Sequence, residues 1–308
     1  MTIRFDGRVA IVTGAGNGLG RSHALGLAAR GAKVVVNDLG AARDGTGGSP
    51  SAAEAVAQEI RAHGGEAIAN AANVAHFDQV AAMVAEAKAR WGRIDILVNN
   101  AGILRDKTFA KMDLADFRLV VDVHLMGAVN CSKAVWDTMR EQNYGRIVLT
   151  SSGSGLYGNF GQANYAAAKA AMIGLMNALH AEGAKYNIRV NTLAPTAATR
   201  MTADLLPPAM LSLMAPEAIT PALLYLVGEN APSRVIMCAG AGVYSVARIV
   251  ESEGVYLPAA ERSPEAIAAR FSEIADARTA RPIDGASEQT NRYIGKASAA
   301  LGIADQPR

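Results

Sequence analysis

The chain has 308 residues, half of them hydrophobic, enough to build a large core and too apolar for intrinsic disorder. Its formal net charge of +2, with basic residues scattered along the sequence, argues against a nucleic-acid or membrane-surface partner. The longest apolar runs, such as PALLYLV at 221–227, fall far short of the ~18 residues a membrane span requires.

Short β-branched runs alternate with longer alanine-rich segments from the start. The first strand is predicted at 9–13. It leads through Gly14-Ala15-Gly16-Asn17-Gly18-Leu19-Gly20 into an alanine-rich helical stretch. Glycines permit positive φ and close backbone approach, and the following helix N-terminus offers free N–H groups and a positive dipole end to a pyrophosphate. Strand, tight turn and helix together make Gly14, Asn17, Gly18, Leu19 and Gly20 candidates for dinucleotide binding. A second strand at 33–37 is followed by Asp38. A carboxylate there can accept from both ribose hydroxyls of NAD and repel the 2′-phosphate of NADP. The loop 40–51 is long and glycine-rich enough to read as flexible.

Further strands are predicted at 67–70, 94–98, 146–150, 189–193 and 235–238. They are apolar throughout rather than alternating, which implies a parallel sheet covered on both faces, hence a doubly wound α/β fold. No secretory signal is readable before the first strand. Cys131 and Cys238 are the only thiols, so a reduced, cytoplasmic compartment with both cysteines in the core is the simplest expectation. The histidines His23, His63, His76 and His180 have no metal-ligand spacing with each other or with cysteine, and no metal is expected.

The segment from Ser151 to Lys169 carries the chemistry. Tyr165 and Lys169 are four apart, which on a helix puts both side chains on one face and lets the ammonium favour the ionised phenol. A free tyrosine, with a pKa of about 10, is a poor acid-base group at neutral pH without such a neighbour. Ser152 upstream is placed to hold a substrate oxygen.

Thr13-Gly14-x-x-x-Gly18-x-Gly20, Asn99-Asn100-Ala101-Gly102, Ser152 and Tyr165-x-x-x-Lys169 resemble, in order and spacing, the motifs of the short-chain dehydrogenase/reductase family. Four longer stretches carry a finer resemblance: VVVNDLG (34–40), NNAGILRDKTFAKM (99–112), YGRIVLTSSGSGLYGNFGQANYAAAK (144–169) and NTLAPTAATRMT (191–202). They are similar to the (3R)-hydroxyacyl-CoA dehydrogenase branch. That branch includes the dehydrogenase part of type 2 peroxisomal multifunctional enzymes, also classed as type 4 17β-hydroxysteroid dehydrogenases, and stand-alone bacterial relatives.

The resemblance implies a Rossmann-type domain over 1–245 with strand order 3-2-1-4-5-6-7 and a dinucleotide across the carboxyl ends of the strands. It implies an NAD-dependent oxidoreductase of lipid metabolism in which Tyr165 is the base. Lys169 then stabilises the phenolate and binds the nicotinamide ribose, and Ser152 orients the substrate oxygen. Asn73 and Val74 take the adenine contacts, and Asn99, Ala101 and Gly102 the cofactor and central sheet. Arg21 is a counterweight to NAD, because some relatives use an arginine there for the 2′-phosphate. Two positions depart from the family pattern. His124 stands where many members place a helix asparagine that anchors a relay water. Pro195-Thr196 replaces the usual Pro-Gly, with the hydroxyl that meets the nicotinamide amide displaced to Thr199.

Residues 246–308 form a C-terminal extension, in which Ser263-Pro264-Glu265 gives a helix-start signal before the amphipathic AIAARFSEIADA. Relatives pack such an extension near the substrate site of an oligomer, a dimer or tetramer. The Leu/Met-rich segment 202–216 suggests a lid over an apolar substrate, and Arg105, Lys107 and Arg200 are candidates to meet CoA phosphates. The expected substrate is a (3R)-3-hydroxyacyl-CoA. A hydroxysteroid or other secondary alcohol is the alternative, and a non-catalytic dinucleotide-binding protein a remote one.

Overall fold

The computed structural model describes residues 2–197 and 213–303. Its strands are β1 (Val9–Thr13), β2 (Lys33–Asn37), β3 (Ala67–Asn70), β4 (Ile96–Asn99), β5 (Gly145–Thr150), β6 (Ile188–Thr196), β7 (Ile236–Gly240) and β8 (Val243–Ala247). They form one sheet in the order β3-β2-β1-β4-β5-β6-β7-β8. The first seven pair in parallel and β8 pairs antiparallel to β7.

The continuous apolar runs divide by side-chain alternation between two cores. Ala10 and Val12, with Val34, Val36, Ile96 and Val98, pack on Leu27, Val56, Ile60 and Leu223. Those partners come from α1 (Gly18–Ala28), α2 (Ser51–Ala62) and α8 (Thr220–Leu226). Ile11, with Val35, Leu97, Ile147 and Leu149, faces the other way onto Val80, Met83, Val135, Met139 and Met172. Here the helices are α3 (Phe77–Trp91), α5 (Gly127–Glu141) and α7 (Ala163–Gly183). Two short helices, α4 (Leu114–Val121) and α6 (Gly153–Tyr157), complete this part of the chain. The strand order reverses between β1 and β4, and in such sheets the crevice outside the carboxyl ends at that point is where ligands bind.

The order of the first seven strands is the one the resemblance implies, and the differences lie at the ends. The fourth strand starts at Ile96 because the backbone of Ile94 bonds to the Gln142 side chain instead, at 2.9 Å through its N–H and 2.7 Å through its carbonyl. The sixth strand continues to Thr196, since Pro195 and Thr196 stay in register with Ala239 and Gly240. An eighth strand is added by a two-residue reversal at Ala241 (φ 49°) and Gly242 (φ 77°). That is a hairpin turn lacking the Asn-Gly or Asp-Gly signal that would reveal it. The loop 40–51, expected to be flexible, is tied by Ser49 N–H to Leu39 O (3.0 Å) and Leu104 N–H to Arg43 O (3.0 Å).

The chain divides into two compact units, Met1–Ala247 and Arg248–Arg308. The second contains α9 (Pro264–Ala269), α10 (Phe271–Ile274) and α11 (Ala286–Leu301). Ser263 caps α9 by accepting from Ala266 N–H at 3.1 Å, and the amphipathic stretch breaks in two at Arg270. No residue of these three helices is buried. Polar contacts hold the unit instead, among them the Glu251–Arg281 bridge and Arg292 paired with Glu253 at 2.9 Å.

Candidate active site

The glycine loop between β1 and α1 is built so that side chains are excluded. A Cβ on Gly20 would stand 2.1 Å from the carbonyl oxygen of Gly14, and one on Gly14, where φ is +64°, would stand 2.8 Å from the Ala101 Cα. Asn17 occupies the N-cap of α1 without a side-chain cap, so it leaves the first N–H groups of the helix to another acceptor. Two residues that the site reading passed over hold this loop to the end of β4. The Thr13 hydroxyl accepts from Asn100 N–H (3.0 Å) and Ala101 N–H (3.1 Å), and Asn100 Nδ2 donates to the carbonyls of Thr13 (2.9 Å) and Gly14 (3.1 Å). Both lie inside the family motifs, but the motifs do not give their pairing, which joins residues 86 to 88 apart in the chain.

Asp38 stands directly after β2, where its carboxylate accepts from Gly16 N–H and from Gly40 N–H, both at 2.7 Å. Arg21 lies on α1, and its Nη2 donates to both carboxylate oxygens of Glu59 at 2.7 and 2.8 Å. Asn73 turns its own loop by accepting from Ala75 N–H at 3.0 Å, and the neighbouring Val74 is buried. Asn99 is the last residue of β4, buried, and donates to Ser132 Oγ at 3.2 Å. Gly102 leaves room for the His124 ring, because a Cβ there would stand 2.2 Å from His124 Cε1. Pro195 lies within β6 rather than after it. Thr199, Arg200 and most of 202–216 lie outside the described residues.

Ser152 is the N-cap of α6, its hydroxyl accepting from Ser154 N–H at 3.2 Å. Tyr165 enters at the first turn of α7 and Lys169 follows one turn later. The Lys169 ammonium is buried 5.6 Å from the Tyr165 ring centroid and donates to Thr150 O at 2.7 Å. Burial drops its pKa to about 7. The Tyr165 phenol stands above its ordinary value, chiefly through burial, while a hydrogen bond with Ser152 pulls the other way and the Asp106 charge adds to the rise. The expected lowering of the phenol by Lys169 is therefore not the dominant effect in the protein alone.

His124 sits in a π-helical turn, Asp122–Met126, between α4 and α5. Its ring meets Tyr165 edge-on at 5.2 Å between centroids, and its Nε2 lies 2.8 Å from Ile103 O. Burial holds its pKa down at about 3, so the imidazole is neutral. Of the suggested phosphate contacts, Arg105 is committed to Asp116 at 2.6 Å and to Asp44 O at 2.9 Å, and Lys107 also leans on Asp116 at 3.6 Å. In the ligand-free protein Arg105 thus fixes its own loop. Among the described residues no group of three His, Cys, Asp or Glu is placed to hold a metal ion, and no helix is long and apolar enough to cross a membrane.

Residues 8–208 match the short chain dehydrogenase family, a span that covers the glycine loop, Asp38, Ser152, Tyr165 and Lys169. The chain belongs to that family. It is a dehydrogenase acting on CH–OH donors. Its sequence is 54% identical over 204 residues to peroxisomal multifunctional enzyme type 2 of Drosophila melanogaster, covering 66% of this chain and 34% of that one. The dehydrogenase therefore spans about a third of the length of this much longer relative. The structure of the full-length Drosophila enzyme superposes with a TM-score of 0.81 at 37% identity, covering 97% of this chain and 51% of the other. A 7α-hydroxysteroid dehydrogenase complexed with NADH and 7-oxo glycochenodeoxycholic acid superposes with a TM-score of 0.70 at 31% identity, covering 78% and 95%.

Proposed function

We propose that this dehydrogenase uses NAD to oxidise the secondary alcohol of a (3R)-3-hydroxyacyl-CoA, fatty or sterol-derived, to the ketone. The observation that carries the reading is the grouping of Ser152, Tyr165 and Lys169 beyond the carboxyl end of β5, in the sheet whose glycine loop excludes side chains at Gly14 and Gly20. That cradle and the uncapped start of α1 fit a pyrophosphate. Asp38 fits the adenosine ribose, Asn73 and Val74 the adenine, and Asn99, Ala101, Gly102 and Pro195 the nicotinamide end, with Thr199 assigned to the nicotinamide amide on the family resemblance alone. The NADH of the structurally similar 7α-hydroxysteroid dehydrogenase supports the same cofactor.

The nicotinamide, when bound, supplies the hydride acceptor. Tyr165 takes the alcohol proton on its phenolate oxygen, and Ser152 fixes the alcohol oxygen by hydrogen bond. Lys169 places a positive charge beside the phenol and is the residue to hold the nicotinamide ribose. His124 backs the Tyr165 ring edge-on. Similarity to the multifunctional enzymes supports the acyl-CoA class, and similarity to the 7α-hydroxysteroid dehydrogenase supports the second reading, a free hydroxysteroid. A dinucleotide-binding protein without turnover would leave the Ser152, Tyr165 and Lys169 grouping without a purpose.

The experiment that separates these readings is a panel of CoA thioesters against free hydroxysteroids, followed by NADH absorbance. The proposed reading requires CoA thioesters to be preferred. We assign the extension a share in acyl-CoA recognition and the active form to a homo-oligomer. Its two thiols suit a cytoplasmic setting, and the peroxisomal names of the relatives supply the competing address, which cell fractionation decides.

A further inference from the structure

Among the described residues, three buried side-chain polar atoms have no protein partner: Asn99 Oδ1, His124 Nδ1 and Thr150 Oγ1. All three residues, together with Lys169, line one cavity of about 10 Å³ at the ends of β4 and β5, against the π-helical turn and α7. That space suits about one water molecule. Buried polar atoms are almost always partnered, so three unpaired atoms from three separate elements, gathered around one such space, point to a shared partner.

The hydrogen-bond valences close with a single water. Asn99 spends its Nδ2 on Ser132 Oγ and keeps Oδ1 as an acceptor. The neutral His124 has Nε2 beside both the carbonyl oxygen (2.8 Å) and the N–H (3.0 Å) of Ile103, and one nitrogen serves only one of them. If Nε2–H donates to the carbonyl, Nδ1 is an acceptor. A water then donates to Nδ1 and Oδ1 and accepts from the Thr150 hydroxyl. If Nε2 accepts instead, Nδ1–H donates to the water, which donates to Asn99 and Thr150. Either tautomer satisfies every unpaired atom, and the shorter contact favours the first.

We infer that Asn99, His124 and Thr150 form the binding site of one enclosed water, and that Thr150 is a positioning residue for Lys169. Thr150 links the two because its unpaired hydroxyl belongs to a residue lining the cavity while its backbone carbonyl takes the Lys169 ammonium at 2.7 Å. The water ties the end of β5 to β4 and to the π-helical turn, and so fixes the carbonyl on which Lys169 rests. The kinetic consequence rests on the proposed catalytic reading of Lys169; the water site itself does not.

Two measurements test it. A crystal structure that resolves single waters should show density within hydrogen-bond distance of all three atoms. A dry cavity, or side chains turned to pair directly with one another, overturns the site whether or not the protein proves to be an acyl-CoA dehydrogenase. Thr150→Val keeps the shape and removes the hydroxyl. It should lower kcat about tenfold with KM for NAD changed by less than about twofold, and Thr150→Ser should restore turnover. Unchanged turnover in Thr150→Val, or equal losses in the valine and serine variants, overturns the positioning role.

Discussion

Asp38 uses both carboxylate oxygens within the protein, one on Gly16 N–H and one on Gly40 N–H, which fixes its orientation at the end of β2. Its remaining lone pairs and its charge are the proposed selector for NAD. Asp38→Ser removes the repulsion of a 2′-phosphate and should raise kcat/KM for NADP relative to NAD by about tenfold or more. Steady-state kinetics with both cofactors check this, and a wild-type preference for NADP would overturn the assignment.

Lys169 carries a stability signature of its own. Its pKa falls from an ordinary 10.5 to about 7 in the folded protein because burial penalises the ammonium. The unfolded chain therefore holds a proton that the folded chain has released between about pH 7 and pH 10.5. Within that window the Lys169 contribution makes the cofactor-free protein more stable as pH rises. Below pH 7 both states are protonated and the burial cost is fully present. Lys169→Met should raise Tm at pH 7 and flatten that rise, while abolishing turnover. Thermal denaturation of both proteins across the window shows it, and a lower Tm for the variant at pH 7 would mean that the bond to Thr150 O outweighs the burial cost.

At the scale of elements, the parallel strands were legible because burial on both faces leaves runs such as VAIVT and KVVVN with no polar interruption. β8 was not, since a turn through Ala241 and Gly242 carries no strong residue signature. Helical spacing brought Tyr165 and Lys169 to one face, as read. Yet spacing is silent on burial, and burial is what raises the phenol and sends the ammonium to a backbone carbonyl. Nor does any local pattern announce Thr13 and Asn100 as the ties between the glycine loop and β4, because their partners lie far away in the sequence. The π-helical turn was equally hidden, and Gly102 packs against the His124 ring that it carries. Gly102→Ala would force the His124 ring aside. It should cost about 1–3 kcal/mol of stability, read by denaturant unfolding, with a loss of turnover. An alanine variant of wild-type stability would show that the ring has somewhere else to go.

At the scale of the whole molecule, the two units differ in what holds them. Met1–Ala247 has cores on both faces of its sheet, whereas the helices of the second unit bury no residue and rely on polar pairs such as Arg292 with Glu253. Exposed ion pairs contribute little individually. Truncation after Ala247 should therefore leave the first unit folded by circular dichroism. If the extension shares in substrate recognition, truncation raises KM for acyl-CoA about tenfold or more while KM for NAD stays within about twofold. Parallel changes in both would make the extension a general support.

In the proposed reaction Tyr165 removes the proton from a (3R)-3-hydroxyacyl-CoA as NAD is reduced. The direct measurement is NADH formation from NAD with the (3R) and (3S) thioesters as separate substrates, for wild type and for Tyr165→Phe, with NAD binding followed in parallel. Wild type should reduce NAD with the (3R) thioester and not with the (3S), and the phenylalanine variant should bind NAD nearly as well with turnover at least about a thousandfold lower. Turnover in Tyr165→Phe within about threefold of wild type, or a wild type that oxidises the (3S) thioester instead, would contradict it.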